Sequence, residues 1–375
     1  MTEDVYRTLQ QHLDSLPVGF PATESGVEIR ILKHVFTPEE AKIASKLKFA
    51  WKDFEPLDSI YERLKILGYT KEELEKHLDN MASKGGISKL IKDGVKTYAS
   101  AMFVVGIFEY QVNKLTKEFV EDFHEYFEEF GKGTARVPIS QLRTIPVGFS
   151  IEHEAKIATY DDIKSVFNNI EEPIALMNCV CRQTQEVIGK KCEKTSRMES
   201  CMAYGNLAQA VIDAGEGRQL SKEEALEVLK KNEEEGLVFQ PGNVQKPDFI
   251  CSCCSCCCEA LSNYAKLPDP SLIVQSNYYA VVDADLCTGC ETCIDRCPMD
   301  AIDIEDNISV VNLRRCIGCG NCIVTCPSEA ISLAAKDKHE VPVETGVDLY
   351  NKIAEQKAKI LARKKRRAER FAKKQ

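Results

Sequence analysis

Apolar residues recur at three- and four-residue spacing through the first third of the chain and then give way to shorter alternating runs. Thr37-Pro38-Glu39-Glu40 offers an N-cap, a proline at the first helical position and acids in the first turn. Two more helices are predicted, Leu57 to Leu67 and Lys71 to Ser83, with the turn Gly68-Tyr69-Thr70 between them. Asp93-Gly94 then lies between two β-compatible runs, Ile87 to Ile91 and Val95 to Tyr98, as in a hairpin. The amphipathic helix Leu115 to Phe130 carries Phe119, Phe123, Tyr126, Phe127 and Phe130 at helical spacing, which reads as core rather than an electron relay. Strands are expected over Arg143 to Val147, Lys156 to Tyr160 and Pro173 to Cys179, with a helix over Asp161 to Asn169. Ser221-Lys222-Glu223-Glu224 is a capping box opening a helix to about Glu235, which Gly236 stops.

The order helix, turn, helix, hairpin over residues 37 to 102 resembles a winged helix. A DNA-reading helix needs cations, yet Lys71 to Lys84 sets three lysines against Glu72, Glu73, Glu75 and Asp79. A docking or structural role is therefore expected, and no nucleic acid partner.

At 375 residues and 42.0 kDa the chain exceeds what one core usually serves, so two or three domains are expected. Its longest apolar stretch, Tyr98 to Phe108, is about half of the roughly 20 residues that a membrane helix needs. The start MTEDVYR lacks the regions of a signal peptide. The expected location is cytoplasmic. Charge is divided: Lys352 to Lys374 holds eleven Lys and Arg against Glu355 and Glu369, a local +9 within a net −9, which leaves −18 on the rest. Val347, Tyr350, Ala354, Ala358 and Leu361 give the tail helix a stripe that can dock, whereas Arg363 to Lys374 is too charged to pack. The free basic end is expected to bind an acidic protein surface, either residues 279 to 333 or a partner.

All eighteen cysteines follow residue 178, in a long chain that is not expected to be exported, so metal rather than disulfide chemistry is the default. Cys287-x2-Cys290-x2-Cys293-x3-Cys297-Pro298 repeats as Cys316-x2-Cys319-x2-Cys322-x3-Cys326-Pro327, an offset of 29 shared by Ala301/Ala330 and Ile302/Ile331. In such a run three cysteines wrap one cubane cluster and the fourth ligates the other. Cys287, Cys290, Cys293 and Cys326 should hold one cluster, and Cys316, Cys319, Cys322 and Cys297 the second. Gly289, Gly318 and Gly320 let backbone amides approach. Zinc would explain neither the third cysteine nor the fourth before proline. Residues 279 to 333 resemble a bacterial two-cluster ferredoxin.

Ten cysteines remain: Cys179, Cys181, Cys192, Cys201, Cys251, Cys253, Cys254, Cys256, Cys257 and Cys258. Eight thiolates would suit two further 4Fe-4S clusters, with one or two thiols left as packing residues. Cys251 and Cys253 share a face if Phe249 to Cys253 is a strand, and thiols near Cys256 diverge if a helix begins there. Arg182 would offset thiolate charge or lie at the surface. His153 reads as a solvated histidine in a charged loop. No GxGxxG after a strand, Walker loop or Ser/His/Asp arrangement supports a flavin, nicotinamide or nucleotide site.

NCVCRQTQEVIGKKC followed by FICSCCSCCC is similar to a class of iron-sulfur proteins from anaerobes that join a helical N-terminal domain, this module and a ferredoxin domain. Heterodisulfide-reductase subunits also carry dense cysteines around unusual clusters, but their paired-cysteine-glycine signature is missing here.

The expectation is an α+β multidomain protein: residues 1–110 winged-helix-like, 111–278 a cysteine-rich α/β domain, 279–335 a two-cluster ferredoxin domain and 336–375 a basic helical tail. Its expected function is electron transfer, as a subunit or dedicated carrier of an anaerobic oxidoreductase, through two 4Fe-4S clusters in the ferredoxin domain and two in the middle domain. The alternatives are a redox-sensing DNA-binding regulator and a catalytic reductase with an unusual middle-domain cluster.

Overall fold

The computed structural model describes residues 4–49, 51, 54–133, 137–148 and 157–372. Helices and antiparallel strands mix throughout, and the chain divides into two compact units, Met1–Ile139 with Tyr350–Gln375, and Ser140–Leu349. The division joins the cysteine-rich and duplicated segments in one unit. No helix among the described residues is long and apolar enough to cross a membrane.

In the first unit the cap signals act as written. Thr37 closes a capping box with Glu40 at the start of Pro38–Ala44. Thr70 closes another with Glu73 on Lys71–Ser83, preceded by Leu57–Leu64 and a short 3-10 turn to Leu67. Asp93 and Gly94 both have positive φ, 51° and 77°, as a two-residue hairpin turn requires. They join Ile87–Lys92 to Val95–Ser100, and Glu55–Pro56 adds an edge strand. Phe119, Phe123 and Tyr126 of Lys117–Gly133 are buried, with Phe123 stacked 3.9 Å from Phe108. The side chain of Phe130 lies outside the described residues. On the tail helix Gly346–Ala372 the buried face falls on Tyr350 and Ile353, while Ala358 is exposed and Leu361 is 50% exposed. The expected stripe is thus cut short, because Lys357 turns inward and donates to the Leu16 carbonyl at 2.6 Å.

The second unit is built on a five-stranded antiparallel sheet in the order Gly217–Leu220, Ile174–Asn178, Glu199–Tyr204, Phe249–Cys253, Val238–Pro241. Alternation decides its faces. Ile174, Leu176, Met202, Tyr204 and Ile250 pack with Ala225 and Leu229 of Lys222–Glu234, while Ala175 and Ala203 pack with Ala208 and Val211 of Gly205–Asp213. The Ser221–Glu224 capping box and the left-handed Gly236 bracket the first of these helices. Arg143 to Val147 is extended but forms no continuous strand, because its pairings go to different neighbours: Arg143 with Gln275 and Ile145 with Phe239. Arg143 is buried in an ion pair with Asp161 at 2.5 Å. The expected strand at 156–160 is absent among the described residues 157–160, because the chain turns there into the helix Ile163–Asn168, capped by Asp162.

The 29-residue repeat is also a structural repeat. Tyr278–Val282 pairs with Ile331–Ala335, and Ile302–Glu305 with Ile308–Val311; short helices at Thr292–Arg296 and Asn321–Val324 complete each half. The duplicated segment is fixed to the sheet domain by hydrogen bonds to main-chain carbonyls. Val147 N–H donates to the Cys319 carbonyl at 2.9 Å, and the Asn321 side-chain amide to the Gly236 carbonyl at 2.8 Å. Arg296 donates to the carbonyls of Glu233 and Glu234 at 2.7 and 2.6 Å.

Candidate iron-sulfur and thiolate centres

Cys297 lines one cavity with Cys316, Cys319 and Cys322, between apolar walls that include Ile302, Val311 and Ile317. The structure therefore brings the fourth cysteine of the first run to the first three of the second. Cys319 and Cys322 are buried, and burial raises both thiols well above their usual range. The first run differs. Cys290 is exposed and Cys287 half-buried, and hydrogen bonds hold both thiols below the usual range, from the Ser309 N–H at Cys287 and from the Thr292 hydroxyl at Cys290.

The two halves supply hydrogen bonds to sulfur in matched pairs. Ser309 N–H donates to Cys287 Sγ and Ala280 N–H to Cys316 Sγ, both at 3.4 Å; Ala301 and Ala330 N–H donate to Cys297 and Cys326 Sγ, both at 3.3 Å. Cys326 thus receives in its half the same main-chain donor that Cys297 receives in the other. Ser309 is a residue that sequence reasoning missed. Its hydroxyl lies 3.7 Å from Cys287 Sγ and 3.2 Å from Cys293 Sγ, whereas its repeat counterpart is Ala280, so the 29-residue offset carried the signal. Gly289 and Gly318 have the same φ, +64°, and a Cβ on either would strike a carbonyl, of Asn307 or Tyr278 respectively. Gly320 is less constrained, since its counterpart Glu291 adopts φ +63° with a side chain.

Residues 279–327 match the family model of a 4Fe-4S dicluster domain. Comparison with curated proteins and with solved structures gives no significant match. The residues fit such clusters: four thiols face one apolar cavity, and main-chain N–H groups aim at the sulfurs in both halves of the dicluster domain. An iron-sulfur electron-transfer role follows for this part of the chain.

The ten remaining cysteines fall into two groups. Six form a closed ring in which each thiol meets two others, in the order Cys179, Cys181, Cys258, Cys253, Cys251, Cys201 and back to Cys179. Cys179 is the N-cap of Val180–Val187 and Cys258 of Glu259–Ala265; Cys201 lies on a central strand, and Cys251 and Cys253 share a face of Phe249–Cys253. At Cys179 contact with Cys181 favours the thiolate, but contact with Cys201 and burial outweigh it and push the thiol up to about 12. The other four, Cys192, Cys254, Cys256 and Cys257, gather with all sulfurs within 4.8 Å of one another.

Arg182 stands between the groups. It is 3% exposed, donates from Nη2 to the Ser252 carbonyl at 3.0 Å and from Nη1 to the Ser200 hydroxyl, and its Nε has no hydrogen-bond partner among the described residues. Burial would discharge it, but Cys179, Cys201, Cys254 and Cys192 outweigh that and raise its pKa. The surface alternative for Arg182 is thereby corrected: two strands position it in the interior. His153 lies outside the described residues.

Proposed function

We propose that the chain is an electron-transfer protein whose conduction path runs from the exposed Cys290 edge of the dicluster domain, through the buried Cys297/Cys316/Cys319/Cys322 site, to the six-thiol ring. The observation that carries this reading is one continuous apolar core. It contains Cys316, Cys319 and Cys322 together with Cys253 and Cys258 of the ring, joined by Val238, Leu261 and Ile317, with Cys251 packed against it. When bound, the clusters supply reversible one-electron chemistry. The chain's own residues set the distances, exclude water from the inner sites and donate hydrogen bonds to sulfur. Cys287, Cys290, Cys293 and Cys326 act as one ligand set, and Cys316, Cys319, Cys322 and Cys297 as the other. The ring holds a further polynuclear cluster.

The chain serves as a cytoplasmic subunit or carrier for an anaerobic oxidoreductase, with the basic tail engaging an acidic protein surface. One observation favours a second reading, a catalytic reductase: six thiols exceed the four that a cubane uses, which leaves ligands for an unusual cluster. The winged-helix-like segment suits docking better than DNA reading, because Lys89 and Lys96 of its hairpin are paired with Asp79 at 2.8 and 2.7 Å.

Redox titration of the anaerobically purified full chain, followed by paramagnetic resonance, tests the relay. Two cubane signals plus at least one further cluster signal are expected. Iron and sulfide sufficient only for the dicluster domain would refute it.

A further inference from the structure

We propose that Cys192, Cys254, Cys256 and Cys257 hold a single tetrahedrally coordinated divalent ion, zinc or iron, rather than a cubane. The sulfur geometry decides this. Cys192 Sγ lies 3.6 Å from Cys254 Sγ and 3.7 Å from Cys256 Sγ, and Cys256 Sγ lies 3.7 Å from Cys257 Sγ. Four thiolates around one ion at about 2.3 Å form a tetrahedron with edges of about 3.8 Å. In a cubane each thiolate caps a separate iron that is itself displaced from the centre, so the same edges grow to roughly 6 Å. The protein carries its own comparison. Among the described residues no other set of three or more His, Cys, Asp or Glu side chains is so compact, and this includes the eight cysteines of the dicluster domain.

The surroundings fit a closed structural ion. The N–H groups of Lys194 and Thr195 point at Cys192 Sγ, the arrangement of a chain folding around a thiolate-bound metal. Cys254 and Cys257 share a small apolar cluster with Leu237, apart from the core that joins the ring to the dicluster domain. The site is thus off the conduction path. Residues 190–198 contain neither helix nor strand, and the ion would pin them to the turn that follows Phe249–Cys253. That turn separates Cys251 and Cys253 from Cys258, so pinning it sets three of the six ring thiols.

Four thiolates around one divalent ion leave a net charge of −2, and their four protons are released on binding. Arg182, a buried cation drawn to Cys192 and Cys254 as well as to the ring thiols Cys179 and Cys201, offsets part of that charge.

The test is metal and sulfide analysis with X-ray absorption at the zinc and iron edges, on the anaerobically purified full chain and on Cys256→Ser. The full chain should carry one ion per chain beyond the iron matched by sulfide, surrounded by sulfur at about 2.3 Å with no iron neighbour. An edge signal from zinc or from sulfide-free iron says which ion it is. Cys256→Ser should lose that ion and keep its sulfide. Equal loss of about four irons and four sulfides in the variant would show a cubane and overturn the proposal. So would a full chain whose metal is all iron matched by sulfide, a measurement that needs no folded variant. Neither outcome depends on whether the other clusters conduct.

Discussion

Cys297 faces Cys316 across one apolar cavity, although the two belong to different cysteine runs. Replacing Cys297 by alanine should therefore damage the cluster bound by Cys316, Cys319 and Cys322 and spare the one bound by Cys287, Cys290 and Cys293. Paramagnetic resonance of Cys297→Ala should lose the signal of the buried site. Loss of only the exposed site would contradict the exchange of ligands.

Ser309 touches two thiols of one set and none of the other. Its hydroxyl offsets charge on the sulfurs and favours the reduced cluster, so Ser309→Ala should lower the potential of the exposed site by tens of millivolts. Potentiometric titration should show the buried site unmoved. A shift shared equally by both would mean that the serine acts through the fold rather than through its contacts.

Arg182 is a buried cation among thiolates, so its removal should make reduction of the ring cluster harder. Arg182→Met should shift that potential downward by about 60 mV or more, the equivalent of tenfold for a one-electron couple, and Arg182→Lys should restore part of it. Variants that lose stability with no change in potential would leave Arg182 as a packing and hydrogen-bonding residue only.

Deleting residues 362–375 removes the basic end of a helix whose buried face stops at Tyr350 and Ile353. The stability of the remainder should change by less than about 0.5 kcal/mol. Binding to an acidic redox partner should weaken at low salt and differ little at high salt, where exposed charges are screened over about 8 Å or less. Equal affinities at low salt would remove the tail from partner recognition.

Local chemistry was legible where the signal is local. The capping residues Thr37 and Ser221, the Asp93-Gly94 turn and the shared face of Cys251 and Cys253 all depend on near neighbours, and each is found as read. The position of Cys297 beside Cys316 has its signal in the repeat, because a duplicated sequence exposes its own symmetry. The division of ten cysteines into a ring and a quartet was not. Cys253 and Cys254 are adjacent in sequence yet go to different groups, because the strand ends between them and the next residue turns away. Arg182 was legible as a charge near thiols, but its burial depends on Ser200 and Ser252, which arrive from distant strands. The phase of the tail helix was not legible, because Lys357 satisfies its ammonium on Leu16, a partner more than three hundred residues away in sequence.

If electrons reach the ring through the buried site of the dicluster domain, rapid mixing of the full chain with a one-electron donor protein will show it. In a Cys319→Ala/Cys322→Ala variant that retains the ring cluster, reduction of that cluster should slow by about a hundredfold or more, the cost of removing an intermediate carrier from the path. Reduction of the ring at the unaltered rate would show that electrons enter it by another way and would contradict the account.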